Sequence, residues 1–161
     1  MMLKVKNFAD VLEVAVRIER KGGEFYNKLT SFVRSPEANA VFSYLAAEEE
    51  KHAGLFRQLL QKIAEYPPRY NYPGEYGLFI EGVASRFLDK AEKGVLSLTA
   101  ANENDALDIG IELEKESILF YLEIKTESKL SPKEDKILQK IIDEERSHWR
   151  KLFSLKNKIK F

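Results

Sequence analysis

The sequence predicts an all-α fold, an antiparallel four-helix bundle made of two helical hairpins joined by a long crossover that contains a short extra helix. Three observations carry this. Apolar residues recur every three or four positions through four long segments. The five prolines fall at the ends of those segments or between them. The second half of the chain repeats a pattern found in the first. At 161 residues the chain has the size of one domain, 1–161, large enough to bury a core without staples.

The first helix is read from Phe8, Val11, Leu12, Ala15, Ile18, Phe25, Leu29 and Phe32, which share one face, and it is expected to end near Val33. Glu19 and Gly22 fall on that same face. A carboxylate within an apolar stripe is costly unless it is paired or bound to a metal, so Glu19 demands a partner. Ser35 and Pro36 form a start signal, an N-cap followed by proline in the first helical position. The second helix runs from Pro36 to about Glu65, with Val41, Phe42, Leu45, Phe56, Leu59, Leu60 and Ile63 on its stripe. Glu49 and His52 lie in phase with them. Hairpin 1 thus covers about 8–65.

The crossover, about 66–103, opens with Tyr66-Pro67-Pro68-Arg69-Tyr70-Asn71-Tyr72-Pro73-Gly74, where the prolines forbid a helix. Its tyrosines are expected to pack onto the bundle. A short helix is read from Leu78 to about Ala91. Asn102 or Asn104 is then the expected N-cap of a long helix reaching about Lys129, with Leu107, Ile111, Ile118, Tyr121 and Leu122 on its stripe. Glu114 lies on that stripe, whereas Glu112 and Glu116 are rotated away and read as solvated. Ser131 and Pro132 repeat the start signal, and the last helix carries Leu138, Ile141, Ile142, Trp149 and Leu152 on one face, with Glu145 and His148 among them. Hairpin 2 covers about 104–157.

Both histidines of the chain stand three residues after a glutamate, in Glu49-x-x-His52 and Glu145-x-x-His148. On a helix that spacing aims a carboxylate and an imidazole at one point. The first helix contains Glu19-x-x-Gly22-x-x-Phe25-Tyr26 and the long third one Glu114-x-x-Ser117-x-x-Phe120-Tyr121, displaced by 95 residues, while the histidine motifs are displaced by 96. Each half is therefore a hairpin whose first helix supplies a glutamate and whose second supplies glutamate plus histidine. Glu19 and Glu49 stand equally far from their shared turn, about 15 residues or roughly 22 Å of helix, and Glu114 and Glu145 repeat this. Six candidate metal ligands, Glu19, Glu49, His52, Glu114, Glu145 and His148, should meet at one level. Tyr26 and Tyr121 read as neighbours of that site. Glu48 and Glu144, each just before a proposed ligand, are candidates to orient a histidine through its second nitrogen. Gly22 and Gly23 weaken the helix by about 1 kcal/mol each, and close helix packing is the expected reason for them.

Composition narrows the chemistry. With no cysteine, disulfides, zinc-thiolate sites, iron-sulfur centres and thiol catalysis are excluded, leaving oxygen and imidazole ligands. The 26 basic and 26 acidic residues balance, giving no general attraction for nucleic acid. The N-terminus lacks the pattern of a signal peptide and no apolar run approaches membrane-spanning length, so a cytoplasmic protein is expected.

With these six residues in their mirrored pattern, the sequence resembles the ferritin-like diiron-carboxylate superfamily, and within it the diiron domain of the rubrerythrins. Tyr26, seven residues after the first glutamate, supports that branch. The resemblance implies that Glu49 and Glu145 bridge two iron ions, that Glu19 and Glu114 each cap one, and that His52 and His148 each complete one. Manganese or zinc are alternative occupants. Rubrerythrins typically carry a further glutamate where Ser117 stands here, and many carry a cysteine-rich rubredoxin-like tail, for which this chain has no cysteines. The implied function is an oxidoreductase reacting with hydrogen peroxide or dioxygen, supplied with electrons by a separate protein or small reductant, and a homo-oligomer is compatible with it. The alternatives are a ferroxidase that handles iron, or a metal-binding bundle without turnover.

Overall fold

The structure, a computed structural model, describes residues 3–64, 71–98 and 103–159. They form five helices, α1 (Phe8–Leu29), α2 (Pro36–Ala64), α3 (Gly74–Ser97), α4 (Glu103–Glu127) and α5 (Pro132–Ile159). Helices α1 and α2 pair as one hairpin and α4 and α5 as the other. The hairpins meet through α2 against α5 and α1 against α4, and α3 lies across α1 and α4. This is the expected all-α, ferritin-like bundle.

The start signals work as read. Ser35 Oγ accepts from Ala38 N at 3.2 Å, and Ser131 Oγ accepts from Glu134 N at 3.2 Å while the Glu134 carboxylate returns the bond to Ser131 N at 2.7 Å. Asn7 caps α1 in the same reciprocal way with Asp10. The core is continuous through the hairpins and α3, and includes Val11, Ile18, Phe25, Phe42, Leu45, Phe56, Phe87, Phe120, Ile141 and Leu152.

Several expectations are corrected. The first helix stops at Leu29 and Thr30 caps it, so Phe32 lies past its end and is 42% exposed. The extra helix is not short: α3 has 24 residues, starting behind Pro73 and running past Ala91 to Ser97. Its buried face is Gly77, Ile80, Ala84, Phe87, Ala91 and Gly94, a strict alternation of three- and four-residue steps, and small residues there let it approach closely. A Cβ at Gly94 would come within 3.1 Å of the Phe25 ring and 3.0 Å of Ile109. That length lets α3 return the chain along the bundle, so α2 and α4 run parallel. It also covers Glu116, whose side chain is only 12% exposed and receives Arg86 and Lys90 from α3, rather than being solvated as expected. Helix α4 begins at Glu103, which places Asn104 inside it; Asn102 lies outside the described residues. Trp149 stands at the edge of its stripe, 37% exposed. Of the tyrosines in the connection, Tyr72 is buried and its backbone N–H bonds Lys6 O at 2.7 Å, packing onto the bundle as expected, while Tyr66 and Tyr70 lie outside the described residues.

Candidate metal centre

All six candidate ligands are brought together, and all are buried: Glu19, Glu49, His52, Glu114, Glu145 and His148 are each 2% exposed or less. They form two overlapping groups. Glu19, Glu49, His52 and Glu145 can offer ligand atoms within 4.8 Å of one another, and so can Glu49, Glu114, Glu145 and His148. Glu49 and Glu145 belong to both groups, so they lie between two positions that each have a glutamate and a histidine of their own.

The distances follow that plan. His52 Nδ1 lies 2.6 Å from Glu145 Oε1 and 3.3 Å from Glu19 Oε2. His148 Nδ1 lies 3.4 Å from Glu49 Oε1, 3.7 Å from Glu114 Oε2 and 3.8 Å from Glu145 Oε2. The two imidazoles stack with centroids 5.6 Å apart. The outer oxygen of each non-shared glutamate is held from the other hairpin: Tyr121 donates to Glu19 Oε1 and Tyr26 donates to Glu114 Oε1. Both tyrosines are fully buried, so the expectation that they neighbour the site is met with a defined contact.

Of the equivalent positions Gly22 and Ser117, only the glycine is shown to make room. A Cβ on Gly22 would stand 2.8 Å from Glu49 Oε2, so this glycine leaves space for the Glu49 carboxylate, not for close approach of two helix backbones. At the equivalent Ser117 the hydroxyl turns back to Leu113 O at 3.1 Å on its own helix. Ser117 therefore contributes nothing to the centre in place of a glutamate.

Electrostatics make this cluster unstable as a set of free carboxylates. Burial and the charge on Glu145 raise the pKa of Glu19, Glu49 and Glu114. Burial alone would lower His52, but Glu145 and Glu19 at its Nδ1 outweigh this and push it up to about 12. His148 is raised in the same way by Glu114, Glu145 and Glu49. Burial opposes the charge on Glu145, yet the two imidazoles beside it hold its carboxyl below the usual range. Tyr26 and Tyr121 are raised by burial and by the carboxylates they bond. Two protonated imidazoles, together with protons held on the raised carboxyls, thus offset the charge that four clustered carboxylates would carry.

The residues fit a metal. Seven buried atoms at the centre, Glu19 Oε2, Glu49 Oε1, His52 Nδ1, Glu114 Oε2, both oxygens of Glu145 and His148 Nδ1, have no aligned hydrogen-bond partner in the protein. Buried polar atoms are almost always satisfied, and convergence of so many that are not marks a site for a cation. Oxygen with imidazole suits iron or manganese. Of the residues outside the set, Glu144 bonds His52 Nε2 at 2.8 Å, as an orienting carboxylate should, whereas Glu48 bonds Lys51 Nζ. A contact that the sequence pattern does not announce is made by Tyr44, whose ring stands at 89° to His148 with centroids 6.0 Å apart. No spacing in the sequence singles it out, because its partner His148 lies on the other hairpin.

Two helical hairpins that bring mirrored Glu and Glu-x-x-His sets to one buried level define a ferritin-like carboxylate and histidine protein with a diiron-type metal site. The sequence profile described as Rubrerythrin matches residues 10–156, which is nearly the whole chain, and the chain belongs to the rubrerythrin family. No individual curated protein and no solved structure matches it significantly. No described helix is long and apolar enough to cross a membrane.

Proposed function

We propose that this protein is a diiron oxidoreductase that reduces hydrogen peroxide or dioxygen, with Glu19, Glu49, His52, Glu114, Glu145 and His148 holding two iron ions. The observation that carries the reading is the sharing of Glu49 and Glu145 between two otherwise separate four-residue groups, each with its own terminal glutamate and histidine. Two divalent cations neutralise four carboxylates, which makes the loaded centre the electrically balanced one.

When bound, a ferrous pair supplies the two electrons that, with two protons, convert hydrogen peroxide to two molecules of water, and a separate protein or small reductant returns those electrons. The chain itself does the positioning. Tyr121 and Tyr26 fix Glu19 and Glu114 from the opposite hairpin, leaving one oxygen of each turned inward. Glu144 fixes the tautomer of His52 by taking the hydrogen of Nε2, so that Nδ1 faces the metal position. Burial keeps bulk water from the carboxylates, and the phenols beside them can hold a proton next to the reacting centre.

The test is peroxide reactivity of the iron-loaded protein. Rapid loss of the ferrous state on adding one equivalent of peroxide, with slower response to dioxygen, supports the reading. Retention of many ferric ions per chain as mineral in an assembled cage would favour iron handling instead, and a loaded protein inert to both oxidants would leave a metal-binding bundle without turnover.

A further inference from the structure

The inner nitrogens of the two imidazoles face equivalent carboxylates in the two halves, His52 at 2.6 and 3.3 Å and His148 at 3.4 and 3.7 Å, but the outer nitrogens differ in kind. His52 Nε2 bonds Glu144 Oε2 at 2.8 Å. His148 Nε2 is equally buried and has no hydrogen-bond partner. Glu48, the repeat equivalent of Glu144, is engaged by Lys51 Nζ, and its carboxylate falls within 4.8 Å of ligand atoms of both His52 and Glu144. Both outer carboxylates therefore gather at His52. Beside His148 stands the ring of Tyr44, half exposed and with Lys151 Nζ 5.4 Å above it.

This difference bears on metal affinity. An imidazole whose outer N–H is held by a carboxylate is fixed in tautomer and angle, and its inner nitrogen becomes a stronger donor. An imidazole without that support presents the same nitrogen only by leaving its outer N–H buried without an acceptor.

We propose that the centre is asymmetric by construction. Glu144 is a positioning residue that makes the position between Glu19 and His52 the tighter one, and the position between Glu114 and His148 is the one that fills last and releases its ion first. The proposal rests on the metal-binding reading above, and its test separates the two.

The experiment is calorimetric titration of the metal-free full chain with cobalt(II), whose visible absorption reports coordination as each position fills. The parent protein is expected to show two resolved steps. Glu144→Ala is expected to weaken the tighter step by roughly 10- to 100-fold and to alter its absorption bands. Glu144→Gln, whose amide oxygen still accepts the N–H, is expected to restore most of that affinity. Glu48→Ala, which removes a carboxylate bonded to neither histidine, should leave both steps in place. Glu144 is 33% exposed in its side chain, so these variants should fold, and circular dichroism checks it. Two steps of equal affinity in the parent, unchanged steps in Glu144→Ala, or an equal loss in Glu48→Ala overturns the asymmetry while leaving metal binding intact. A parent protein that takes up no cobalt overturns both.

Discussion

Tyr121 on α4 donates its hydroxyl hydrogen to Glu19 on α1, 102 residues away, and Tyr26 on α1 does the same for Glu114 on α4. The two hairpins are cross-braced at the metal centre by the residues that the repeat duplicates. Tyr121→Phe leaves Glu19 Oε1 buried without a donor, a loss of about 1–3 kcal/mol of stability. Tyr26→Phe should cost a similar amount at Glu114. Urea unfolding of each metal-free variant checks the magnitude, and near equality of the two checks the symmetry.

Gly22 and Gly23 are neighbours with different reasons for being glycine. A Cβ on Gly22 meets the carboxylate of Glu49, whereas one on Gly23 would sit 3.4 Å from Glu49 Cβ in ordinary contact. Gly23→Ala should gain about 0.5–1 kcal/mol of helix stability and keep its metal. Gly22→Ala should remain helical, because the carboxylate tip can swing aside, but lose metal because that tip no longer lies at the centre. Metal content per chain, with thermal unfolding, distinguishes them.

The pH dependence of the metal-free protein should run opposite to that of the loaded one. Glu19, Glu49 and Glu114 keep protons above the ordinary 4.5 at which the unfolded chain loses them. His52, raised from 6.5 to about 12, keeps its proton too, so its contribution is complete below 6.5 and is lost as pH climbs through the folded value. The folded state therefore binds more protons than the unfolded state, and Tm should fall between about pH 5 and about pH 9. Glu145, lowered, works the other way: its contribution is present above 4.5 and is lost in acid. Metal ions take the place of those protons, so metal uptake releases protons and the stabilisation it brings should grow with pH. Thermal scans with and without metal at several pH values check both slopes.

Replacing Glu49 or His52 with alanine should abolish retention of at least one ion while leaving helicity largely intact. For Glu49 the metal-free protein should lose little or no stability on Glu49→Gln, since burial and the charges on Glu145 and Glu19 already disfavour its ionised form. A chelator titration beside a denaturation curve separates the two effects.

The hairpins and all six centre residues were legible because each rests on helical spacing within one element: a carboxylate in an apolar stripe, a histidine one turn later, and the same pattern 95 or 96 residues on. What was not legible depends on contacts between elements. The full length of α3 is set by a face of Gly, Ala and two larger residues, Ile80 and Phe87, that closes against α1, α4 and, at Gly77, the backbone of Val5, and no apolar stripe in sequence announces small residues packed that way. The cover over Glu116 follows from that helix. Likewise, Glu144 reaches a histidine on the other hairpin while Glu48, its equal in the repeat, does not, and Tyr44 leans on His148; both are contacts between α2 and α5.

The most direct measurement is metal analysis of protein purified without oxygen, followed by absorption spectra of the reduced iron form before and after one equivalent of hydrogen peroxide. About two irons per chain are expected, as four buried carboxylates require for charge balance, with prompt growth of ferric absorption on adding peroxide. Absence of metal, or zinc alone with reconstituted iron that gives no response to peroxide, would contradict it.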